Sequence, residues 1–507
     1  MSAEPRRYSF PPLERRGVVI GLPPASVATV AIGCLLAVGI VRRSSSTAGL
    51  GLAFLVAAAA AAIGCWPVAG RTPVAWLPLV AGWARRRRHG PRLAVEPTAG
   101  RALPASARSA LGPSGTERRS GRGSGGTERR SGRSPGGIAA GVDIVAAPDR
   151  PGAAPLGVVR DRESGSWGAV VRVQGRSFAL LDGADKERRL AAWGSVLASV
   201  GRPGSPVYRL QWVEQVHPGR VDDLTGYLAE AGVGPADDRQ RAAREGYADL
   251  IGDAGPVSQR HGALLALTIH PRKAAGALRS FGRGDGAVCD LLRREVRLLV
   301  GQLCSAEIPG VQPLGRDELL GELAGDGGGD SRQRRRAAAV WPLATDEAWS
   351  ALRADGGWHS TYWIAEWPRL DVGTDFLTPL LASGGRRRIS LVMAPVDPQR
   401  AERQAGSAAA ADLADEELRR RAGFVVSVRR QREASGVARR RAELADGHAE
   451  YRFSGYLTVS GGSRTELDQR CAEVEQAAQQ SHLELRRLYG RQEEAYCWTL
   501  PLGRGLS

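Results

Sequence analysis

The stretch GVVIGLPPASVATVAIGCLLAVGIV, residues 17–41, and the stretch SSSTAGLGLAFLVAAAAAAIGCWPVAG, residues 44–70, contain no charged side chain. Only Arg42 and Arg43 separate them. A helix needs about 20 apolar residues to cross the hydrocarbon core of a bilayer. Each stretch supplies that length, and the short joint between them leaves room only for a reversal. The sequence therefore predicts a transmembrane helical hairpin with a large body behind it.

A cleavable export signal is the alternative interpretation, because Arg15 and Arg16 precede the first apolar run. Signal peptides have a short apolar core and a small-residue cleavage site, and no second span follows them directly. Here Pro23 and Pro24 interrupt the start of the run, and a second uncharged span follows at once. The pattern favours the hairpin.

Arginines flank the hairpin and predict its orientation, because cytoplasmic flanks of membrane spans carry an excess of basic residues. Four arginines precede the first span, and Arg71 and Arg85–Arg88 follow the second. We expect two spans in the inner (cytoplasmic) membrane, with both termini cytoplasmic and the turn at 42–46 outside. The uncharged segment 72–84 is too short to cross, and we expect it to lie along the interface.

Several side chains near the exit of the second span are predicted anchors at the membrane interface, where indole rings and arginines favour the headgroup region. These anchors are Trp66, Trp76, Trp83, Arg85, Arg86, Arg87 and Arg88. Their predicted partner is the lipid of the inner membrane.

The net charge of +17 is concentrated in the first part of the chain. Residues 1–137 hold 20 arginines and 5 glutamates, whereas the rest holds 50 basic and 48 acidic side chains. Non-specific affinity for nucleic acid depends on many phosphate contacts. The near-neutral remainder therefore argues against direct binding of nucleic acid, and lipid is the better partner for the basic segment.

The chain divides into three parts by composition. Residues 1–88 form the membrane part, and residues 89–155 are a Gly-, Ser- and Arg-rich linker in which GTERRSGR occurs twice. Such a segment buries too little apolar surface to fold. Residues 156–507 form an α/β or α+β body, in which a loop near 321–336 is expected to separate two lobes.

Periodicity predicts the elements of the body. Asp182 is expected to cap a helix that ends near Val200. The predicted strands are 156–161, 166–174, 177–181, 206–216, 261–270, 360–367, 387–394 and 451–460. The further predicted helices are 221–232, 237–252, 286–303, 346–354, 398–445 (in two or three pieces) and 464–481.

Motifs for catalysis and cofactors are discounted. The matches to GxGxxG at 121–126 and GxSxG at 132–136 lie in the linker, without the strand and helix that each chemistry needs. A phosphate loop needs Lys followed by Ser or Thr, and neither Lys186 nor Lys273 has that neighbour. The six cysteines show no CxxC spacing. We therefore predict no catalytic residue, no cofactor, no metal and no enzyme activity.

Other clusters have simpler interpretations. The pairs His217-Pro218 and His270-Pro271 are expected to end strands. The arginine clusters at 334–336, 386–388, 419–421, 429–432 and 439–441 suggest contact with phosphate or a partner, but the last three are better explained as solvated helix faces with i,i+4 pairing. Trp358, Trp363 and Trp367, together with Tyr362, are expected to pack in the core.

Particular segments resemble subunits of type IV secretion and conjugation systems. The opening 8–22, the two spans and the segment 71–78 resemble the PrgI-type small inner-membrane subunit. The segments 180–182, 208–214 and 500–503, with the helix around Trp193, resemble the N-terminal domain of the large VirB-class conjugation ATPase, in which a stretch like 500–503 precedes the ATPase core. The catalytic residues of that family have no counterpart here.

This resemblance implies a non-catalytic membrane-anchored scaffold that docks a separately encoded P-loop ATPase and contacts other secretion-channel subunits. One alternative is an EccE-like two-span component of a type VII secretion system. The others are a membrane-tethered nucleic-acid-binding module and an enzyme of a novel type.

Overall fold

The computed structural model covers the hairpin and most of the body. The residues it describes are 8, 10, 24–44, 46–66, 72–88, 92–93, 141–174, 181–218, 239, 246, 259–308, 310–324, 344–354, 357–421 and 428–506.

Three helices form the N-terminal part: α1 (Pro24–Arg43), α2 (Thr47–Cys65) and α3 (Pro73–Arg87). Two of them, over Ala25–Arg43 and Thr47–Cys65, are long and apolar enough to cross a membrane. In α3, Pro73 occupies the first turn, where backbone N–H groups have no acceptor within the helix, so the missing N–H of proline costs no hydrogen bond. Pro78 lies inside the helix.

The body is α+β, because its strands form one antiparallel sheet of 13 strands within the described part of the chain. The strands are β1 (Arg92–Leu93), β2 (Val142–Ala146), β3 (Gly157–Asp161), β4 (Ser166–Val173), β5 (Val207–Pro218), β6 (Gln259–Ile269), β7 (Gln312–Pro313), β8 (Ala344–Glu347), β9 (Leu352–Ala354), β10 (Gly357–Glu366), β11 (Arg386–Pro395), β12 (Tyr451–Gly461) and β13 (Glu484–Arg487). The α/β alternative requires parallel strands, and the described strand pairs are all antiparallel.

Helices connect these strands. They are α4 (Gly183–Val200), α5 (Ala275–Leu278), α6 (Asp285–Ser305), α7 (Arg316–Leu323), α8 (Thr378–Ala382), α9 (Pro398–Arg421), α10 (Val428–Ala445), α11 (Arg464–Gln480) and α12 (Gln492–Trp498). The predicted cap of α4 is confirmed, because the side chain of Asp182 accepts a hydrogen bond from the Asp185 amide.

The sheet has two halves that share a common order of elements, apart from three inserted helices. In the first half, the hairpin β2–β3 is followed by β4, α4, β5, β6, α6, β7 and α7, with the short α5 inserted between β6 and α6. In the second half, the hairpin β8–β9 is followed by β10, α8, β11, β12, α11, β13 and α12, with α9 and α10 inserted between β11 and β12. Each half contains a β-α-β-β-α-β unit, with the strand orders β7-β4-β6-β5 and β13-β10-β12-β11. The fold is therefore an internal structural repeat.

The two halves meet at the strand pair β5–β11, in which Leu210–Val216 pairs with Arg387–Met393. The chain passes from the first half to the second between α7 and β8. Of the loop predicted at 321–336, residues 321–323 are the last residues of α7, and residues 325–336 lie outside the described residues. The halves share one sheet across the β5–β11 pair and do not form separate lobes.

Each face of the sheet is covered differently. The helix face carries α4, α6, α8 and α11, and its core includes Leu265, Leu292 and Leu457. The opposite face, which we call the tail face, carries α7, α12 and the tail, residues 499–506. Leu500 and Leu502 of the tail are buried against it.

Buried polar groups hold the tail on the central strands. Gln211 is fully buried, and its amide donates to the carbonyl oxygens of Trp498 at 3.0 Å and Leu500 at 2.8 Å. Its carbonyl accepts from the Gly503 amide at 2.7 Å. Arg504 pairs with Asp161 at 2.8 Å. Burial raises the pKa of Asp161, but the hydrogen bonds and charge of Arg504 outweigh it and lower this pKa below its ordinary value.

The structure corrects two expectations. The predicted helix 346–354 is a β-hairpin, because β8 and β9 pair with each other and β9 extends the edge of β10. The predicted linker 89–155 contains β2, so the body begins before residue 156. The expectation that the helical pattern 398–445 breaks into pieces is confirmed, because it is described as two helices, α9 and α10.

Most other predicted strands and helices are found within a few residues of their expected bounds. The predicted strand 177–181 and the predicted helices 221–232 and 237–252 fall wholly or almost wholly outside the described residues.

Candidate functional site: the junction between the membrane hairpin and the body

Small residues allow α1 and α2 to lie close together. A Cβ added at Gly33 would lie 2.1 Å from the Cβ of Ala60, and one added at Gly64 would lie 2.6 Å from Cγ2 of Val30. Small residues at such positions permit the close backbone approach typical of helix pairs in membranes. The packing therefore favours a preformed hairpin.

The outer surface of this hairpin is apolar and uncovered. Only 11% of the first candidate span and 17% of the second is buried. Large side chains such as Leu35, Phe54 and Leu55 are 64–76% exposed. A core helix of a soluble protein would be mostly covered by the rest of the chain. Contiguous apolar surface of this kind marks a membrane or protein contact.

Polar groups tie the open end of the hairpin, opposite the turn between α1 and α2, to α3. The Ser26 hydroxyl, which is fully buried, lies 3.0 Å from the hydroxyl of Thr72, the residue that precedes α3. This contact fixes where α3 leaves the hairpin.

Aromatic rings then join α3 to the body. The ring of Trp349, in the turn between β8 and β9, lies 5.7 Å from that of Trp76 and 5.3 Å from that of Trp83. Tyr489, which follows β13, lies 5.7 Å from Trp76. Aromatic pairs at such distances add roughly 0.5–1.5 kcal/mol each beyond the area they bury.

An ion pair reinforces the aromatic cluster. Arg86 Nε donates to Glu347 Oε2 at 3.1 Å, and Arg86 also donates to the carbonyl oxygen of Gly490. The Glu347 side chain is only 10% exposed, and its second oxygen accepts from the Glu493 amide at 3.1 Å. Because Glu347 is buried, this pair is worth more than an exposed one.

The chain that precedes the hairpin contacts the same half of the body. Tyr8 and Val372 exchange backbone hydrogen bonds at 2.9 Å in each direction. The ring of Phe10 stacks on Trp367 at 5.2 Å and lies 5.5 Å from Phe376. The body is thus attached on both flanks of the hairpin.

The structure divides the predicted interface anchors into two groups. Trp76, Trp83 and Arg86 are brought together against the body, so their side chains have protein partners. Trp66 is 70% exposed at the end of α2, and the guanidinium of Arg87 lies 5.1 Å from the Trp83 ring centre. Contact of these residues and of the exposed Arg85 and Arg88 with lipid stays a prediction.

Sequence reasoning missed the residues on the body's side of the junction. The sequence assigns Trp349 and Glu347 to a helix, and Tyr489 stands in no pattern. On the other side of the junction, Phe10 lies in the opening 8–22 that carries the resemblance, but nothing there predicts its contact with the body. No local signal reveals them, because their partners lie more than 100 residues away along the chain.

Other predicted features have structural roles. His217 lies near the end of β5, and His270 follows β6 directly, as expected for strand-ending His-Pro pairs. Lys186 pairs with Asp375 at 2.9 Å. Tyr362 is 1% exposed in the core, which confirms its packing role.

The structure describes some of the arginine clusters and neither of the discounted glycine motifs. Arg439 pairs with Glu443 at 3.0 Å with i,i+4 spacing, as predicted. The motif matches at 121–126 and 132–136 and the cluster 334–336 lie outside the described residues.

Comparison of the chain with protein-family models and with curated proteins finds no match in either.

Proposed function

We propose that this protein is a non-catalytic, membrane-anchored scaffold subunit of a type IV secretion or conjugation-like apparatus. In this role it docks a separately encoded P-loop ATPase, and contacts other channel subunits, at the inner membrane. The observation that carries the proposal is the junction, where α3 leaves the apolar hairpin and packs directly on the body through Trp349 and Glu347. The assignment to a secretion or conjugation apparatus comes from the resemblance of the sequence to type IV secretion subunits.

The contacts on both flanks of the hairpin support a two-span arrangement. Tyr8 precedes the first span and Trp76 follows the second, and both contact the second half of the body. Both flanks must then lie on the side of the membrane that holds the body. The flanking arginines make that side the cytoplasm.

A scaffold of this kind acts through effective concentration. A partner that binds the body is held beside the membrane and no longer has to find it by diffusion, which strengthens a second contact without any new interface. A body fixed by α3 also presents its surfaces in a defined orientation, which a flexible tether does not provide.

Thiol labelling tests the topology. The variant Ser44→Cys places a thiol in the turn, and the exposed Cys304 of the body is an internal reference. We expect a membrane-impermeant maleimide to label the turn in intact cells, and Cys304 only after permeabilisation. Labelling of the turn only after permeabilisation would contradict the proposed orientation.

Co-purification tests the docking role. The full chain, extracted in mild detergent, should retain a P-loop ATPase encoded in the neighbouring reading frame, and the purified chain alone should show no ATP turnover. A variant lacking residues 24–65 should still bind the ATPase but leave the membrane. Failure of the full chain to bind that ATPase, or ATP turnover by the chain alone, would refute the proposal.

A further inference from the structure

A row of basic side chains crosses the tail face of the sheet. His217 on β5 pairs with Arg260 on β6, while on the neighbouring strands Arg386 pairs with Ser460, which in turn pairs with His359. The row is open to solvent at Arg260 and closes toward His359, which is 9% exposed.

The histidines of this row are neutral at physiological pH. Burial lowers the pKa of His359 to about 3, and the charges of Arg388 and Arg386 act in the same direction. Burial also lowers the pKa of His217 to about 3, with Arg386, Arg388 and Arg260 contributing. Both pKa shifts arise first from burial, and the neighbouring arginines add to them.

Two polar side chains in the next row are buried, and neither has an acceptor for its N–H groups among the described residues. Arg388 pairs in register with Gln215, and these residues are 7% and 4% exposed. The Gln215 amide nitrogen has no hydrogen-bond partner in the described part of the chain. Within the same part, Arg388 forms no hydrogen bond or ion pair, and its guanidinium lies 5.7 Å from the ring centre of Tyr496.

The preceding residue on the same strand shows what a structural arginine does here. Arg387 points to the helix face and donates to the carbonyl oxygens of Leu381, Ser383, Gly384 and Gly385, and to Gln259 Oε1 at 3.1 Å. Its charge is thus satisfied by acceptors around the end of α8. Among the described residues, Arg388 has none of this compensation, although burying a charge without a partner is costly.

We propose that Arg388 and Gln215 form the base of an anion site on the tail face that takes a small phosphate-bearing ligand. A planar guanidinium and an amide side by side offer several N–H donors to one oxyanion, which is how proteins recognise phosphate. The N–H groups of the two neutral imidazoles are already used, because His217 Nε2 donates to the Gln215 carbonyl oxygen at 3.3 Å and His359 donates to the backbone of Ala354. The donors that the site offers are therefore the Arg388 guanidinium and the Gln215 amide. A phosphate group accepts from more donors than a carboxylate does, so it matches this pair better.

Thermal unfolding of the full chain in detergent tests the site, with inorganic phosphate and pyrophosphate as probes and sodium chloride and acetate at equal ionic strength as controls. We expect a saturable rise of several degrees in Tm with the phosphate probes alone. Arg388→Met should abolish that rise and should itself raise the Tm of the ligand-free protein, because it removes an uncompensated buried charge.

Two further variants keep the test decisive. Gln215→Leu should weaken phosphate binding about tenfold while Arg388 stays in place. Arg353→Gln alters an exposed arginine on the neighbouring β9 and should leave binding unchanged. A lower Tm of ligand-free Arg388→Met, or an unchanged phosphate effect in it, would overturn the proposal and make Arg388 a structural residue.

A second arm separates soluble phosphates from lipid headgroups, which share this chemistry. Full chain in nanodiscs of phosphatidylglycerol is compared with full chain in nanodiscs of phosphatidylcholine. A rise in Tm that depends on Arg388 and occurs only with phosphatidylglycerol assigns the site to a headgroup, and one seen with soluble probes assigns it to a soluble ligand. Absence of any such rise in both arms rejects the site, without bearing on the scaffold.

Discussion

At the scale of single residues, the run Arg386–Arg388 shows how strand alternation assigns different roles to neighbours. Successive side chains on a strand point to opposite faces. Arg387 therefore lies on the helix face with several acceptors, while Arg388 lies on the tail face with none in the described part of the chain. The sequence indicates a phosphate or partner contact for this run, but it cannot say which arginine has partners.

The Arg86–Glu347 pair predicts a measurable contribution to the junction. Arg86→Ala should weaken docking of α3 by roughly 1–3 kcal/mol, because Glu347 stays buried with one oxygen lacking its charged partner. The expected result is faster trypsin cleavage after the remaining arginines of 85–88 in membranes. Arg88→Ala, at an exposed position, is the matched control. Equal cleavage rates in both variants would show that the pair does not hold α3.

His359 predicts a dependence of stability on pH. Its pKa is about 3 in the folded chain and 6.5 in the unfolded chain, so below pH about 6.5 the unfolded chain binds a proton that the folded chain does not. For this group, the free energy of unfolding therefore decreases by about 1.4 kcal/mol for each unit by which the pH is lowered below about 6.5.

Chemical denaturation of wild type and His359→Gln at pH about 7 and about 4.5 measures this effect. Between these two values the wild type should lose roughly 2–3 kcal/mol more than the variant. The exposed residue His448 provides the control, His448→Gln, which should behave as wild type. An equal loss in His359→Gln and wild type would mean that His359 is protonated in the folded chain.

At the scale of elements, the sequence predicts those whose signal is local. The spans, the capped α4 and the central strands follow from runs of apolar residues or from period-two alternation. The helix predicted at 346–354 is wrong because pairing of β9 with the edge of β10 overrides the local helical preference. Its turn also places Trp349 beside α3, so the junction was not visible from the sequence.

The close packing of α1 and α2 makes a prediction at this scale. Gly33→Leu should separate the helices, because even a Cβ at this position meets Ala60 at 2.1 Å. Gly39→Leu is the matched control, since nothing lies within 4 Å of a Cβ there. We expect a lower unfolding temperature in detergent for the first variant only. The same temperature for both would contradict the packing of the hairpin.

At the scale of the whole molecule, the internal repeat and the tail unite the body. The two halves have no obvious sequence repeat from which the structural repeat could be predicted. The strands that join them, β5 and β11, lie far apart along the chain. Such contacts leave no periodicity, so only the α+β class and a dividing point could be predicted. The tail then crosses the central strands and is held by Gln211.

Gln211→Leu tests this arrangement. The substitution removes three hydrogen bonds. The carbonyl oxygens of Trp498 and Leu500 keep donors in the Ser390 hydroxyl and the Leu502 amide, but the buried Gly503 amide loses its acceptor, at a cost of roughly 1–3 kcal/mol. Trypsin should then cleave after Arg504 in the variant. Gln480→Leu, at an exposed position, should remain protected. Protection of Arg504 in both variants would show that the tail is held by other contacts.

Anchorage of the whole chain is the claim on which the scaffold role depends. Its most direct measurement is the distribution of the intact polypeptide between membrane and supernatant after cell lysis and an alkaline carbonate wash. We expect the full chain to stay in the membrane pellet and a variant lacking residues 24–65 to leave it. Recovery of the intact full chain in the supernatant would show that the hairpin does not anchor the protein.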